Sequence, residues 1–209
     1  MPSPAVAIID YDAGNLASVR RACAEVGVVA TITRDPDALR RADRVIFPGV
    51  GAAGPAMRSI QASGMEGALK AFLASGKPLL GICLGMQISL EHSEEQDQST
   101  LGLIPGVVQR FEFNDPSLKI PHMGWNEVRA TQSHPVLAGL QPGDCFYFVH
   151  AYYPVPAEAS EVFAVSDYEH EFACAVGRDN YFGTQFHPEK SGRVGLRLLQ
   201  AFAAWDGTC

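Results

Sequence analysis

The chain has no Cys-x-x-Cys pair, no cluster of Lys or Arg, and no apolar run near the roughly 20 residues that span a membrane. Each absence removes a class of function. The five cysteines (Cys23, Cys83, Cys145, Cys174 and Cys209) fall at irregular spacing, so neither a zinc site nor a disulfide framework is indicated. No metal and no cofactor are expected. The net charge of −7 without a basic patch argues against nucleic acid and anionic membranes as partners. The N-terminal stretch has no basic residue before its apolar run and meets Asp10 and Asp12 at once, which is not the pattern of a secretion signal. The expectation is a reduced, cytoplasmic protein.

What is present is an ordinary globular balance, 47% apolar and 19% charged over 209 residues. With no internal repeat and no linker, residues 1–209 read as a single domain. The first half alternates. Ala5–Asp10, Val28–Thr33 and Arg44–Phe47 read as strands, separated by a helix over Asn15–Val26 and a short one capped by Asp35-Pro36. One or two helices fill Ala53–Ser75, with a break at Ser63-Gly64. Such βαβ alternation predicts an open, mostly parallel sheet flanked by helices. The second half changes rhythm. Val107–Phe113, Asn126–Ala130, Phe146–Tyr153, Val162–Tyr168, Phe172–Arg178 and Tyr181–His187 read as strands joined by short turns, an antiparallel region. Glu91–Ser99 reads as a solvated helix end and loop, and Ser191 as the cap of a last helix.

The two halves meet in Lys77–Gln87, KPLLGICLGMQ. Leu79–Ile82 suits a strand buried on both faces, and the residues after Cys83 look like the opening of a helix. Gly81-x-Cys83-x-Gly85 is the cysteine form of a nucleophile elbow, with glycines where side chains would clash in a sharp, strained turn. The sulfur is then lifted above the sheet at a helix N-terminus, where free N–H groups favour negative charge. Further on stands Thr184–Ser191, TQFHPEKS. Pro188 keeps His187 extended at the strand end, and in an extended chain Glu189 faces the same way. A carboxylate there can fix the imidazole tautomer and leave the other nitrogen to take a proton from a thiol. The remaining histidines are weaker bases. His92 and His134 read as surface, His170 as an exposed turn, and His122 and His150 lack a carboxylate at matching spacing.

An attacking thiolate also needs donors for the oxyanion. The Leu84 N–H is one by position, and the Pro48–Gly51 loop can supply another. Gly49 and Gly51 on either side of Val50 allow that peptide to point either way. The same loop opens Gly49–Gly54, which fits G-x-G-x-x-G. A dinucleotide fold, however, wants that fingerprint on its first βα turn and an acid at the end of the next strand, where this chain has Cys83.

GICLGMQ with FHPEKS resembles the class I (triad) glutamine amidotransferases. Within that family, Asp10–Leu16 (DYDAGNL), Lys119–Asn126 (KIPHMGWN) and Tyr147–Tyr153 (YFVHAYY) are similar to the glutaminase subunits of imidazole glycerol phosphate synthase. The resemblance spans essentially the whole chain. It implies a glutaminase that releases ammonia into a tunnel toward a (βα)8-barrel cyclase, in a heterodimer of histidine biosynthesis. It implies Cys83 as nucleophile, His187 as acid/base and Glu189 as its orienter. Gly51, Gln87 and the His150–Ala151–Tyr152 strand become glutamine-holding elements. Asn15, Met123, Trp125, Tyr147 and Lys190 become interface or gate residues. Ala151 departs from a small hydroxyl residue frequent in the family. Two alternatives share the motifs: the glutaminase of a different synthetase, and a free-standing cysteine hydrolase. A binding module with a dead triad ranks last, because all three triad residues are present.

Overall fold

Four consecutive buried residues, Val6–Ile9, form strand β1, and their side chains divide between two apolar clusters: Val6 and Ile8 in one, Ala7 and Ile9 in the other. A strand buried on both faces needs cover on both sides, which is the parallel α/β arrangement expected from the sequence. The computed structural model describes residues 5–12 and 14–208, so Cys209 and Ala13 of the Asp10–Leu16 stretch lie outside the described residues. After β1 come α1 (Leu16–Glu25), β2 (Ala30–Thr33), α2 (Pro36–Arg41), β3 (Arg44–Gly49), α3 (Ala53–Ala62), α4 (Met65–Ala74) and β4 (Leu79–Cys83). Asp35 caps α2 by accepting the Asp37 N–H at 2.9 Å. A single helical turn, α5 (Leu84–Gln87), follows β4 directly, much shorter than the pattern through Leu90 suggests.

The second half begins with β5 (His92–Ser93), β6 (Gln98–Ser99), β7 (Gly106–Arg110), β8 (His122–Glu127) and β9 (Arg129–Ala130). It continues through β10 (Cys145–His150), β11 (Tyr152–Pro156), β12 (Val162–Tyr168), β13 (His170–Arg178) and β14 (Tyr181–Thr184) to α6 (Gly192–Ala204). The main sheet has the order β2-β1-β3-β4-β14-β13-β12-β9. Its first five strands run parallel and the last three add in antiparallel fashion. A four-stranded sheet (β11-β7-β5-β6) and a two-stranded ribbon (β10-β8) complete the antiparallel region. Among the described residues no helix is long and apolar enough to cross a membrane.

Four local expectations need correction. Phe146–Tyr153 is not one strand: the chain breaks at Ala151, with β10 pairing β8 and β11 pairing β7. Glu91–Ser99 is largely exposed, as expected, but it is not a plain helix end and loop, since it forms β5 and β6. Its acids hold backbone donors, Glu91 taking the Gly106 N–H (2.9 Å), Glu94 that of Arg110 (2.7 Å) and Glu95 that of Ala53 (2.7 Å). Ser191 occupies the N-cap position of α6 without capping it. Its hydroxyl donates to the His187 carbonyl (2.6 Å) and accepts from the Tyr147 N–H (3.0 Å). His134 is not on the surface but 5% exposed, stacked on Phe182 at 4.3 Å, with Nδ1 accepting the Val136 N–H.

Burial pushes His134 and His122 down to about 4, and His150 to about 3, from an ordinary 6.5. An imidazole with a depressed folded pKa takes its proton only after unfolding, so stability is intact above 6.5 and declines as pH falls toward 4. The thermal unfolding midpoint should therefore drop steadily on acidification through that window. His134→Asn keeps an acceptor for the Val136 N–H and should flatten part of the slope. A midpoint indifferent to pH between 6.5 and 5 would contradict the buried, neutral state.

Candidate active site

Cys83 is where β4 turns into α5 with no residue between, and its backbone is forced to φ 51°, ψ −113°. A side chain at this φ is strained by about 1–3 kcal/mol. The flanking glycines are there for space. A Cβ on Gly85 would overlap the Phe47 carbonyl, and one on Gly81 would overlap the Tyr181 hydroxyl. The elbow expected from Gly81-x-Cys83-x-Gly85 is thus pressed onto β3, whose Gly49 is in register with Cys83.

His187 follows β14, the parallel neighbour of β4, so base and thiol come from adjacent strands. Its backbone N–H donates to the Tyr147 carbonyl (2.9 Å), which fixes the chain leaving the sheet. Its Nδ1 lies 2.7 Å from Glu189 Oε1, and both side chains are fully enclosed. The route to this contact differs from the expected extended chain: Pro188–Lys190 is a single tight helical turn that carries Glu189 back beneath the ring. Nε2 is buried without a hydrogen-bond partner among the described residues. Burial alone would lower the imidazolium pKa. The negative charges of Cys83 and Glu189 outweigh it and raise the pKa well above its ordinary value.

Asn15, expected at an interface or gate, reaches inward instead, its side-chain amide donating to Glu189 Oε1. Glu189 therefore receives two donors on one oxygen, while Oε2 is buried without a partner among the described residues.

A cavity of about 270 Å³ opens above Cys83. It is lined by His187, Leu84, Val50 and Gly51 together with Gln87, Val149, His150, Ala151 and Tyr152. Every expected glutamine-holding residue lines it. Gln87 is not a free hand, however: its Nε2 donates to the Tyr152 carbonyl (2.9 Å) and to Gln185 Oε1 (3.0 Å). In the loop over the thiol, Gly51 has φ 107°, which only glycine adopts easily, whereas Gly49 is held against the buried, unpartnered Tyr11 hydroxyl.

Sequence reasoning missed two residues here. Gln185 is fully buried with Nε2 3.6 Å from Cys83 Sγ; an amide inside an apolar strand beside His187 was the available signal. Glu95 lines the cavity while accepting the Ala53 N–H at the start of α3. That acid occupies the helix N-terminus which the Gly49–Gly54 fingerprint would otherwise offer to a phosphate.

Beyond the cavity lies an exposed apolar ridge. Met123 is 62% and Trp125 58% exposed, Trp125 meets Tyr147 edge to face at 6.1 Å, and Lys190 Nζ sits 5.6 Å over the Tyr147 ring.

Residues 7–204 match the family described as glutamine amidotransferase class-I. The chain belongs to that family. Proteins named imidazole glycerol phosphate synthase subunit HisH are similar along nearly their full length. That of Chromobacterium violaceum is 50% identical over 97% of this chain and 98% of its own. That of Thiobacillus denitrificans is 46% identical over 96% and 91%. Among solved structures, PurLQS from Thermotoga maritima shares the fold with a TM-score of 0.74 at 18% identity, covering 96% of this chain and 98% of that one. The amidotransferase fold thus accounts for the mostly parallel sheet and the antiparallel region added to it.

The strain at Cys83 has a measurable consequence. Cys83→Gly should unfold at higher temperature than Cys83→Ala, by about 1–2 kcal/mol once the chain entropy of glycine is set against the relieved φ. Equal midpoints would mean that the elbow is held without strain.

Proposed function

We propose that this chain is the glutaminase subunit of imidazole glycerol phosphate synthase. It hydrolyses L-glutamine to glutamate and ammonia, and the ammonia passes to a (βα)8-barrel cyclase partner in a heterodimer of histidine biosynthesis. The cyclase uses it to make imidazole glycerol phosphate and the aminoimidazole carboxamide ribonucleotide. The observation that carries the reading is a strained Cys83 and His187 lining one cavity, with Glu189 enclosed behind the imidazole and in contact with its Nδ1. The curated relatives, matched over nearly their full length, support the choice of this synthase over another. The whole chain acts as one amidotransferase domain, and a cytoplasmic setting suits a nucleophile that must stay reduced.

The chemistry follows from the geometry. Cys83 attacks the side-chain carboxamide carbon of glutamine, and the oxyanion forms toward the Leu84 N–H and a peptide N–H of the Gly49–Gly51 loop. His187 Nε2, protonated by the thiol, gives that proton to the departing ammonia and leaves a thioester on Cys83. Water, deprotonated by the same nitrogen, then releases glutamate. Glu189 holds the ring throughout and Asn15 holds Glu189. The carboxylate of Glu95, at the cavity wall, suits the substrate's ammonium.

Three expected outcomes test this. Cys83→Ala should abolish glutamine-dependent product formation by the assembled synthase, while added ammonium salt still drives the cyclase. Retained glutamine-dependent turnover would reject the elbow as the reactive site. Glu189→Gln should lower kcat far more than it changes KM, because shape is kept while the tautomer of His187 is not secured. A changed KM at unchanged kcat would make Glu189 a binding residue.

The third concerns activation. The isolated chain should release glutamate slowly, and addition of cyclase with its nucleotide ligand should accelerate it by at least roughly a hundredfold, the cost of one oxyanion donor if the Gly49–Gly51 peptide rests with its N–H turned away. The ridge of Met123, Trp125, Tyr147 and Lys190 is the surface on which the cyclase acts. Tyr147 carries the effect inward through its carbonyl, which holds the His187 N–H. Equal rates for the chain alone, with cyclase, and with cyclase plus ligand would favour a free-standing hydrolase.

A further inference from the structure

His122 has no role in the chemistry above, yet it is 4% exposed and hydrogen-bonded to a residue of the cavity wall. In the β8–β10 ribbon it stands directly opposite His150. The proton positions follow from the acceptors. The Tyr152 carbonyl can only accept, so His150 donates to it from Nδ1 (2.8 Å). His150 Nε2 is then a lone pair, and it accepts from His122 Nδ1–H at 3.0 Å. His122 Nε2 faces the Asn126 amide at 3.4 Å. Beyond Tyr152 the chain continues: Gln87 donates to the same carbonyl and to Gln185, and Gln185 donates to Cys83 Sγ. The relay is therefore continuous from β8, one residue from exposed Met123, to the sulfur.

We propose that His122 is a positioning residue for the glutamine cavity. Through His150 it fixes the Tyr152 carbonyl, and through that carbonyl the amides of Gln87 and Gln185 beside Cys83. The inference rests on the glutaminase reading and assigns within it a residue that touches no reacting atom. The relay needs both rings neutral, and their burial keeps them so. It also needs a donor at 122, not merely a flat ring. Packing alone would want the ring, since His122 stacks on Tyr168 at 4.1 Å and Phe148 at 5.1 Å.

These two demands separate in two variants. His122→Phe keeps the ring and removes the donor; His122→Asn keeps a donor near the Nδ1 position and loses the ring. Glutamate release is measured for the complex of this chain with cyclase and its ligand, beside thermal midpoints of the variants. The expected result for His122→Phe is a rise of at least about tenfold in KM for glutamine with kcat within about threefold, at a midpoint near the parent's. His122→Asn should return KM to within about threefold of the parent despite a lower midpoint. A His122→Phe complex that matches the parent, or an asparagine variant as impaired as the phenylalanine one, would overturn the proposal. Imidazole nitrogen NMR of the free chain gives a second readout. His150 should carry its proton on Nδ1 in the parent and in His122→Asn, and finding it on Nε2 in the parent also overturns the relay. A parent complex that releases no glutamate would reject the glutaminase reading instead, and the NMR result then decides the relay by itself.

Discussion

The active-site half of the fold depends on one steric constraint: the turn after β4 is packed against the Phe47 carbonyl so closely that residue 85 has no room for a Cβ. Because α5 cannot move away from β3, the chain must reverse within a single residue, and Cys83 absorbs the whole turn at φ 51°. The geometry then propagates. Gly49 lies in register with Cys83, so the loop proposed to carry the second oxyanion donor starts level with that residue. β14 pairs on the other side of β4 with Thr184 opposite Ile82, so His187 emerges at the same end of the sheet, three residues past the strand. Nothing needs to be brought in from a distant loop to assemble the three parts.

Charge is handled by enclosure rather than by solvent. His187 and Glu189 are shut away together, a placement tolerable only because each compensates the other and Asn15 supplies a further donor. The unpartnered Nε2 and Oε2 show that the group is not saturated. With its pKa raised by the neighbouring charges, the imidazole holds there a proton that it can hand on as a general acid. The contrast with Cys23 and Cys174 is instructive: burial raises both thiols and leaves them inert packing groups.

Much of this was legible in the residues. The alternation of the first half, the helix break at Ser63-Gly64 and the Asp35 cap appear where expected, because each rests on local chemistry. The triad was legible because glycine spacing and His-Pro-Glu are local signals too. What failed was non-local. The strand break at Ala151 arises because two different sheets claim the two halves, which no period-2 pattern records. His134 follows the polar Thr131–Ser133 in sequence but lies among Phe163, Phe182 and Trp205, from elements far along the chain. Asn15 and Gln185 were invisible in their roles for the same reason: Asn15 finds Glu189 from 174 residues away, and Gln185 finds Cys83 from 102.

That last separation also bears on biosynthesis. β14 fills the place between β4 and β13, so during translation β4 waits as an open, fully apolar edge until Tyr181–Thr184 has left the ribosome. Such edges are prone to wrong pairing, and long-range parallel closure is slow. The order also imposes a safeguard on the chemistry. A nascent chain or a fragment truncated before Tyr181 holds its thiol without its base. Glutamine hydrolysis is therefore one of the last properties this polypeptide acquires, only after the sheet that carries it has closed.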